Sequence, residues 1–158
     1  MSKAQAKQLV MKQGKIRRVL IICPISIMYS AWFDDLFTFA THRTVSVAYG
    51  SADKRKKIIE EGSEYVVINY DGVAIVADEI KKGGFDLVVV DEATHYKNAQ
   101  TTRWKTLNKL LTDDMWLWMM TGTPAAQSPV DAYGLAKMVN KNLVPRFFGS
   151  FKDQVMTR

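Results

Sequence analysis

Four short runs in the chain are almost wholly apolar: Val19–Cys23, Tyr65–Asn69, Leu87–Asp91 and Trp116–Met120. Runs of that length, bounded by turn-forming residues, suit strands buried on both faces. A fifth stretch, 44–49, alternates apolar and polar positions like a shorter strand and stops at Gly50. Between the strands the apolar spacing changes to every three or four residues, the period of a helix with one buried face. After Pro24, Ser26 is placed to cap a helix with apolar positions at Ile27, Met28, Ala31, Trp32, Leu36 and Phe39. Ser51 opens a basic helix, through Asp53-Lys-Arg-Lys-Lys57, to about Glu61. Tyr70-Asp-Gly72 breaks the Tyr65–Asn69 strand before a short helix over 73–81, which Gly83-Gly84 ends. Further helices are expected over 101–111 and 129–139, the second capped by Ser128 with proline at an allowed first-turn position. Residues 3–14 are good helix formers stopped by Gly14, and after Asn142 the pattern is that of loop or short turns.

Strand and helix thus alternate with short connections, which predicts an α/β fold: a mostly parallel sheet sandwiched by helices. At 158 residues, with 47% hydrophobic and 24% charged residues, the chain is one globular domain with enough apolar mass for a core. Its net charge of +6 suits an anionic partner such as nucleic acid. Cys23 stands alone inside an apolar strand, so neither a disulfide framework nor a thiolate metal site is expected. No apolar run approaches the roughly 20 residues that span a bilayer, and the first residues have no apolar signal core. The expectation is a soluble protein of a reducing compartment, cytoplasmic or nuclear, neither secreted nor in a membrane.

Chemistry concentrates after two of the strands. Leu87-Val-Val-Val ends in two adjacent carboxylates, Asp91 and Glu92, and the next strand ends in Thr121-Gly122-Thr123-Pro124. Open α/β sheets hold their ligands beyond the carboxyl ends of their strands. No glycine-rich phosphate loop ending in Lys-Ser/Thr occurs in these 158 residues. The Gly14-Lys15 pair has no preceding glycine, no following Ser or Thr and no strand before it.

Several motifs in the right order resemble the first RecA-like lobe of Swi/Snf-type DNA translocases of the second helicase superfamily, over about residues 12–158. Val19–Ser26 with Trp32 is similar to the strand-Pro-x-Ser…Trp motif that touches the tracking strand of DNA in that family. Val66-Val-Ile-Asn69-Tyr70 resembles the next nucleic-acid motif, and Asp91–Asn98 resembles the DEAH-type box with its trailing Lys97-Asn98. Thr121–Pro124 resembles the coupling motif, and Pro145-Arg-Phe-Phe-Gly149 the segment that commonly closes the lobe. Two departures stand out. Thr94 occupies the position of the family's usual histidine, with His95 one place later, and Ala126-Gln127 replaces the usual Gln-Asn pair.

The resemblance implies roles. Asp91 would hold magnesium, usually through water, and Glu92 would orient or deprotonate the attacking water. Thr121, Gly122 and Thr123 would couple phosphate state to the nucleic-acid face, to which Pro24, Ser26, Asn69, Tyr70, Lys97 and Asn98 would belong. In the intact family the cofactors are Mg2+ and ATP and the partner is duplex DNA. With the phosphate loop, its strand and the second lobe missing, the resemblance implies a partial lobe truncated after that loop. Residues 1–15 would be a helical remnant, 16–140 the core and 141–158 a loop segment. Such a chain is expected to bind neither cofactor and to hydrolyse no ATP alone. Loss of an interior strand would bare an edge, that of Trp116–Met120, for a second copy or a strand-supplying partner.

For several residues a bland reading stands beside the functional one. Ser26 suits an ordinary cap, Trp32 core packing, and Lys54–Lys57 a solvated helix face. The cluster Lys12, Lys15, Arg17 and Arg18 has the same two readings. Trp104, Trp116 and Trp118 suit a core or lobe interface, and His42 and His95 are too isolated for a metal site. A remnant lobe that binds DNA or protein without catalysis remains the alternative to a motor part.

Overall fold

The computed structural model describes residues 16–123 and 128–156. Five strands form one parallel sheet: β1 (Val19–Cys23), β2 (Val45–Val47), β3 (Tyr65–Asn69), β4 (Leu87–Asp91) and β5 (Trp116–Met120), in the order β2-β3-β1-β4-β5. All four pairings are parallel, as buried apolar strands joined through helices require. The apolar runs of the sequence therefore mark β1, β3, β4 and β5 with the expected bounds. The three central strands are buried along their whole length.

Alternate residues of each strand feed two separate cores. One face carries Leu20, Ile22, Val66, Ile68, Val88 and Val90. It packs on most of the helices: α2 (Ala52–Glu60), α3 (Tyr70–Ile75), α4 (Ala77–Lys82), α5 (Thr102–Leu110) and α6 (Tyr133–Val139). On the other face Val19, Ile21, Cys23, Val67 and Val89 meet Met28, Trp32 and Leu36. Burying each large aliphatic side chain contributes about 1.5–3 kcal/mol, so both layers stabilise the sheet between them.

Local chemistry explains most boundaries. The Ser51 hydroxyl accepts from Lys54 N–H at 3.3 Å, and Thr101 Oγ1 accepts from Trp104 N–H at 3.2 Å, each capping a helix. Ser128 N–H donates to Asp131 Oδ2 at 3.3 Å and opens a 3₁₀ turn, Pro129–Ala132, that leads into α6.

Four expectations are corrected. Ser26 caps no helix: Pro24 takes the cap position of a 3₁₀ turn, Ile25–Ile27, and Ser26 lies exposed inside it. The ring of Pro24 sets φ at −57° and turns the chain two residues early. Beyond it the backbone winds as a π-helix over Met28–Phe33 before becoming α1 (Asp34–Phe39). Tyr70-Asp-Gly72 ends β3 as expected but already belongs to α3, and the single helix expected over 73–81 is split at Val76 into α3 and α4. The closing segment is not loop throughout, because α7 (Phe148–Met156) follows, with Phe148 and Phe151 against Tyr133 at ring distances of 5.4 and 5.2 Å. Phe148 lies within the Pro145–Gly149 motif that the resemblance singled out, and Phe151 just beyond it. The expected helix over 3–14 lies outside the described residues.

Candidate functional site

Parallel register decides what meets at the rim of the sheet. Cys23 is level with Asn69, Ile22 with Val90, and Asp91 with Met120. Residues that follow these strands therefore leave from one carboxyl edge: Pro24–Ser26, Tyr70, Glu92 and Thr121–Thr123. Adjacent strands lie about 4.8 Å apart, so the acidic pair and the threonine turn are immediate neighbours.

Asp91 is 4% exposed, and its fixation is unusually complete. Its Oδ2 accepts the indole N–H of Trp32 at 2.8 Å, and its Oδ1 accepts the Glu92 N–H at 3.0 Å. The Tyr70 hydroxyl donates to its backbone carbonyl. Trp32 belongs to the core on one face of the sheet and Tyr70 to the core on the other, so Asp91 is gripped from both sides. Burial, then the charge of Asp91, pushes the Tyr70 phenol far above its ordinary value. It therefore remains a proton donor throughout the physiological range.

Glu92 is exposed and adopts φ 52°, ψ 56°, the left-handed region. For a residue other than glycine this costs about 1–3 kcal/mol. The strain sits where β4 turns abruptly into a 3₁₀ turn, Ala93–Tyr96, and it directs the second carboxylate outward from the rim. Behind that turn His95 stacks on Tyr70 with ring centroids 4.5 Å apart. Arg103 braces both: its Nη1 is 3.3 Å from His95 Nδ1, its guanidinium lies 5.1 Å over the Tyr70 ring, and its Nη2 is 2.7 Å from Asp71 Oδ1. His95, set aside as isolated, is thus part of the support of the site. Its partners come from other elements, which local spacing does not reveal.

The residues expected to face nucleic acid fall into two groups. Ser26, Lys97 and Asn98 are exposed and Pro24 half-buried at the rim. Asn98 also shapes its own loop, its Oδ1 accepting Gln100 N–H at 2.9 Å and its carbonyl accepting the Thr101 hydroxyl at 2.9 Å. Asn69 and Tyr70 are buried instead. Tyr70 is engaged with Asp91, and Asn69 Oδ1 accepts from Arg55 Nη1 at 2.9 Å. Arg55 is only 5% exposed and also donates to the carbonyls of Ala48 and Gly50, at 2.6 and 2.9 Å. Gly72 packs against this junction: a Cβ there would run into the Arg55 guanidinium and lie 2.8 Å from Asn69 Oδ1. In the turn after β5, Thr121 Oγ1 accepts Thr123 N–H at 3.2 Å, while Gly122 borders open space. Pro124, Ala126 and Gln127 lie outside the described residues.

The basic clusters divide as well. Lys54 and Lys57 are exposed, but Arg55 is not part of a solvated face. Arg17 is exposed, whereas Arg18 donates to the carbonyls of Ser63, Gly83 and Ile59 beneath the Phe85 ring, an internal tie. Lys12 and Lys15 lie outside the described residues. Trp104 is core, its indole donating to Gly134 carbonyl at 2.8 Å, but Trp116 is 60% exposed on β5. Among the described residues no group of three or more His, Cys, Asp or Glu side chains is gathered for a metal ion.

A family model described as SNF2-related domain matches residues 4–157. The chain belongs to the SNF2-related domain family. It is 30% identical over 135 residues to TATA-binding protein-associated factor mot1 of Schizosaccharomyces pombe, covering 84% of this chain and 7% of that protein. Helicase SWR1 of Candida albicans is 31% identical over 121 residues, 73% of this chain and 7% of that protein. Among solved structures, the Sulfolobus solfataricus SWI2/SNF2 ATPase core in complex with dsDNA superposes with a TM-score of 0.74 at 26% identity. The match covers 92% of this chain and 30% of that one. The SNF2-related chain therefore spans less than a third of the length of these relatives, and its five-stranded parallel sheet matches part of the SWI2/SNF2 RecA-like core.

Proposed function

We propose that this SNF2-related chain is the water-activating and DNA-facing part of a DNA-dependent ATPase motor, carrying about half of one nucleotide site. The observation that supports this reading is the shared rim, where the Asp91-Glu92 pair stands beside the Thr121–Thr123 turn and the Pro24–Ser26 loop emerges from the adjacent strand. Asp91 is the residue suited to a metal: a buried, oriented carboxylate is a hard oxygen donor, which fits hydrated Mg2+. With nucleotide in place, such an ion would supply charge neutralisation on the transferring phosphoryl oxygens. Glu92 stands outside the sheet, free to orient a water molecule and accept its proton. The Thr121 turn, whose hydroxyl fixes the Thr123 amide, follows the strand paired with Asp91 and is positioned to move with it.

For ATP itself the fit is poor within these 158 residues. Binding β- and γ-phosphates requires a cradle of backbone N–H groups with a lysine, and no such motif occurs here. The chain alone is therefore assigned negligible hydrolysis. On the DNA side we assign Pro24, Ser26, Lys97 and Asn98 to backbone contacts, with Asn69 and Tyr70 supporting them from inside. The partner is duplex DNA, and the setting nuclear or cytoplasmic. No described helix is long and apolar enough to cross a membrane.

A second reading is favoured by one observation. β5 has a single neighbour among the described strands and exposes Trp116, so it offers an edge to a second copy of the chain.

The decisive measurement is ATP turnover with and without duplex DNA, in this chain and in a longer chain that carries a phosphate-binding loop. DNA-stimulated turnover is expected only in the longer chain, and it is expected to vanish in Asp91→Ala and Glu92→Gln. If the longer chain hydrolyses equally well with both carboxylates removed, the motor reading is wrong.

A further inference from the structure

The assignment of a DNA face leaves open how that face reaches the carboxylates. Two rim segments, 24–33 and 69–75, end in contacts to the same residue. From the first, Trp32 Nε1–H reaches Asp91 Oδ2 at 2.8 Å; from the second, the Tyr70 hydroxyl reaches the Asp91 carbonyl. Both contacts are buried, so each is strong, and breaking either leaves a desolvated acceptor. The segments approach from opposite faces of the sheet, and Trp32 lies in a π-helix, a winding rare in proteins and concentrated at functional sites. Rewinding that helix as α would rotate Trp32 relative to the Pro24–Ser26 loop. The loop position and the bond to Asp91 are therefore one mechanical unit. On the far side Arg103 and His95 clamp Tyr70 from above, so a shift of the Lys97-Asn98 turn acts on the Tyr70 ring as well.

We infer that Trp32 and Tyr70 are positioning residues that transmit occupancy of the DNA-facing rim to the Asp91 carboxylate. The inference rests on the proposed reading of residues 24–26 and 97–98 as DNA-facing. It goes beyond that reading in naming the two side chains through which the rim and the metal-holding group are coupled. By linkage, anything that shifts one end must be felt at the other.

The test uses the whole chain, with the aspartate carboxyl carbons and tryptophan indoles isotopically labelled, and a short duplex DNA at saturating concentration and fixed salt. Bound duplex is expected to move the Asp91 carboxyl resonance and the Trp32 indole resonance together. Trp32→Phe, and separately Tyr70→Phe, should each cut the Asp91 shift by at least about half while duplex remains bound. Trp104→Phe, which deletes another buried indole bond but none to Asp91, should leave that shift intact. Should Trp32→Phe fail to fold, Tyr70→Phe, which keeps its ring against His95, carries the test. An Asp91 resonance unmoved by bound duplex, or moved as far in both variants as in the parent, overturns the coupling and leaves the DNA reading standing. Failure of duplex to bind at all overturns both, and is recognised by the absence of any spectral change.

Discussion

Asp91 and Met120 face each other as register partners across the β4–β5 ladder, so the carboxylate pair and the threonine turn leave the sheet from neighbouring positions. Neither loop reaches for the other; the parallel register of buried β4 and the edge strand β5 brings them together. This economy makes the site depend on a few buried polar contacts that hold the strand ends in place.

Arg55 is the first. It supplies three hydrogen bonds, two of them buried, joining α2 to the end of β3. Arg55→Met keeps the aliphatic stem and removes the donors, and is expected to cost about 2–4 kcal/mol. The readout is a lower urea midpoint with unchanged denaturant slope; a midpoint within experimental scatter of the parent would contradict it.

Two glycines should behave oppositely. A Cβ on Gly134 would be driven into the Lys97 carbonyl and lie 2.8 Å from that of Tyr96, both backbone atoms. Gly134→Ala must therefore separate α6 from the turn that carries the Lys97-Asn98 motif, at a cost of about 1–3 kcal/mol. Among the described residues nothing lies within 4 Å of that position on Gly122, and its φ is not left-handed. Gly122→Ala is expected to leave the melting temperature almost unchanged. Thermal unfolding of the pair, side by side, checks both.

Stability should fall at both ends of the pH scale, for different reasons. Burial raises the phenols of Tyr70 and Tyr96 above their ordinary value of 10.0, so the folded state holds these protons more tightly than the unfolded chain. Their contribution is complete below about pH 10 and is lost as pH rises toward the folded values. Tyr70→Phe should flatten the alkaline limb. Burial alone would raise Glu64, but its bonds to Arg43 and the Thr44 amide prevail and lower it below 4.5. That contribution is present above pH 4.5 and lost as pH falls further. Unfolding midpoints of Glu64→Gln against pH should show a shallower acid limb than the parent, and an identical limb would exclude the ion pair as its source.

The edge of β5 that no other described strand pairs predicts association. Trp116→Lys places a charge on that edge and should lower the association constant, read as a fall in weight-average mass by sedimentation. A parent chain that sediments as a monomer across a wide concentration range would count against edge pairing.

Much of this architecture was legible because its signals are local. A strand buried on both faces needs an unbroken apolar run, and Val19–Cys23, Tyr65–Asn69 and Leu87–Asp91 each announce themselves. The carboxylates at the end of one run and the threonine turn after another were likewise visible, since parallel strands send their carboxyl ends to one rim. Less legible were elements ruled by single residues, such as the turn that Pro24 starts before Ser26, the break at Val76, and α7, whose anchors pack on Tyr133.

By itself, then, the sequence determined the five strands, their parallel sense, the family and the edge on which the chemistry collects. Tertiary structure alone decided which side chains serve that edge from within: Trp32 and Tyr70 on Asp91, Arg55 on Asn69, and Arg103 on His95. The physical reason is range. Hydrophobic periodicity is set over a few consecutive residues, whereas these bonds join groups on different elements, whose meeting depends on strand order, a π winding and the closeness that Gly72 and Gly134 permit.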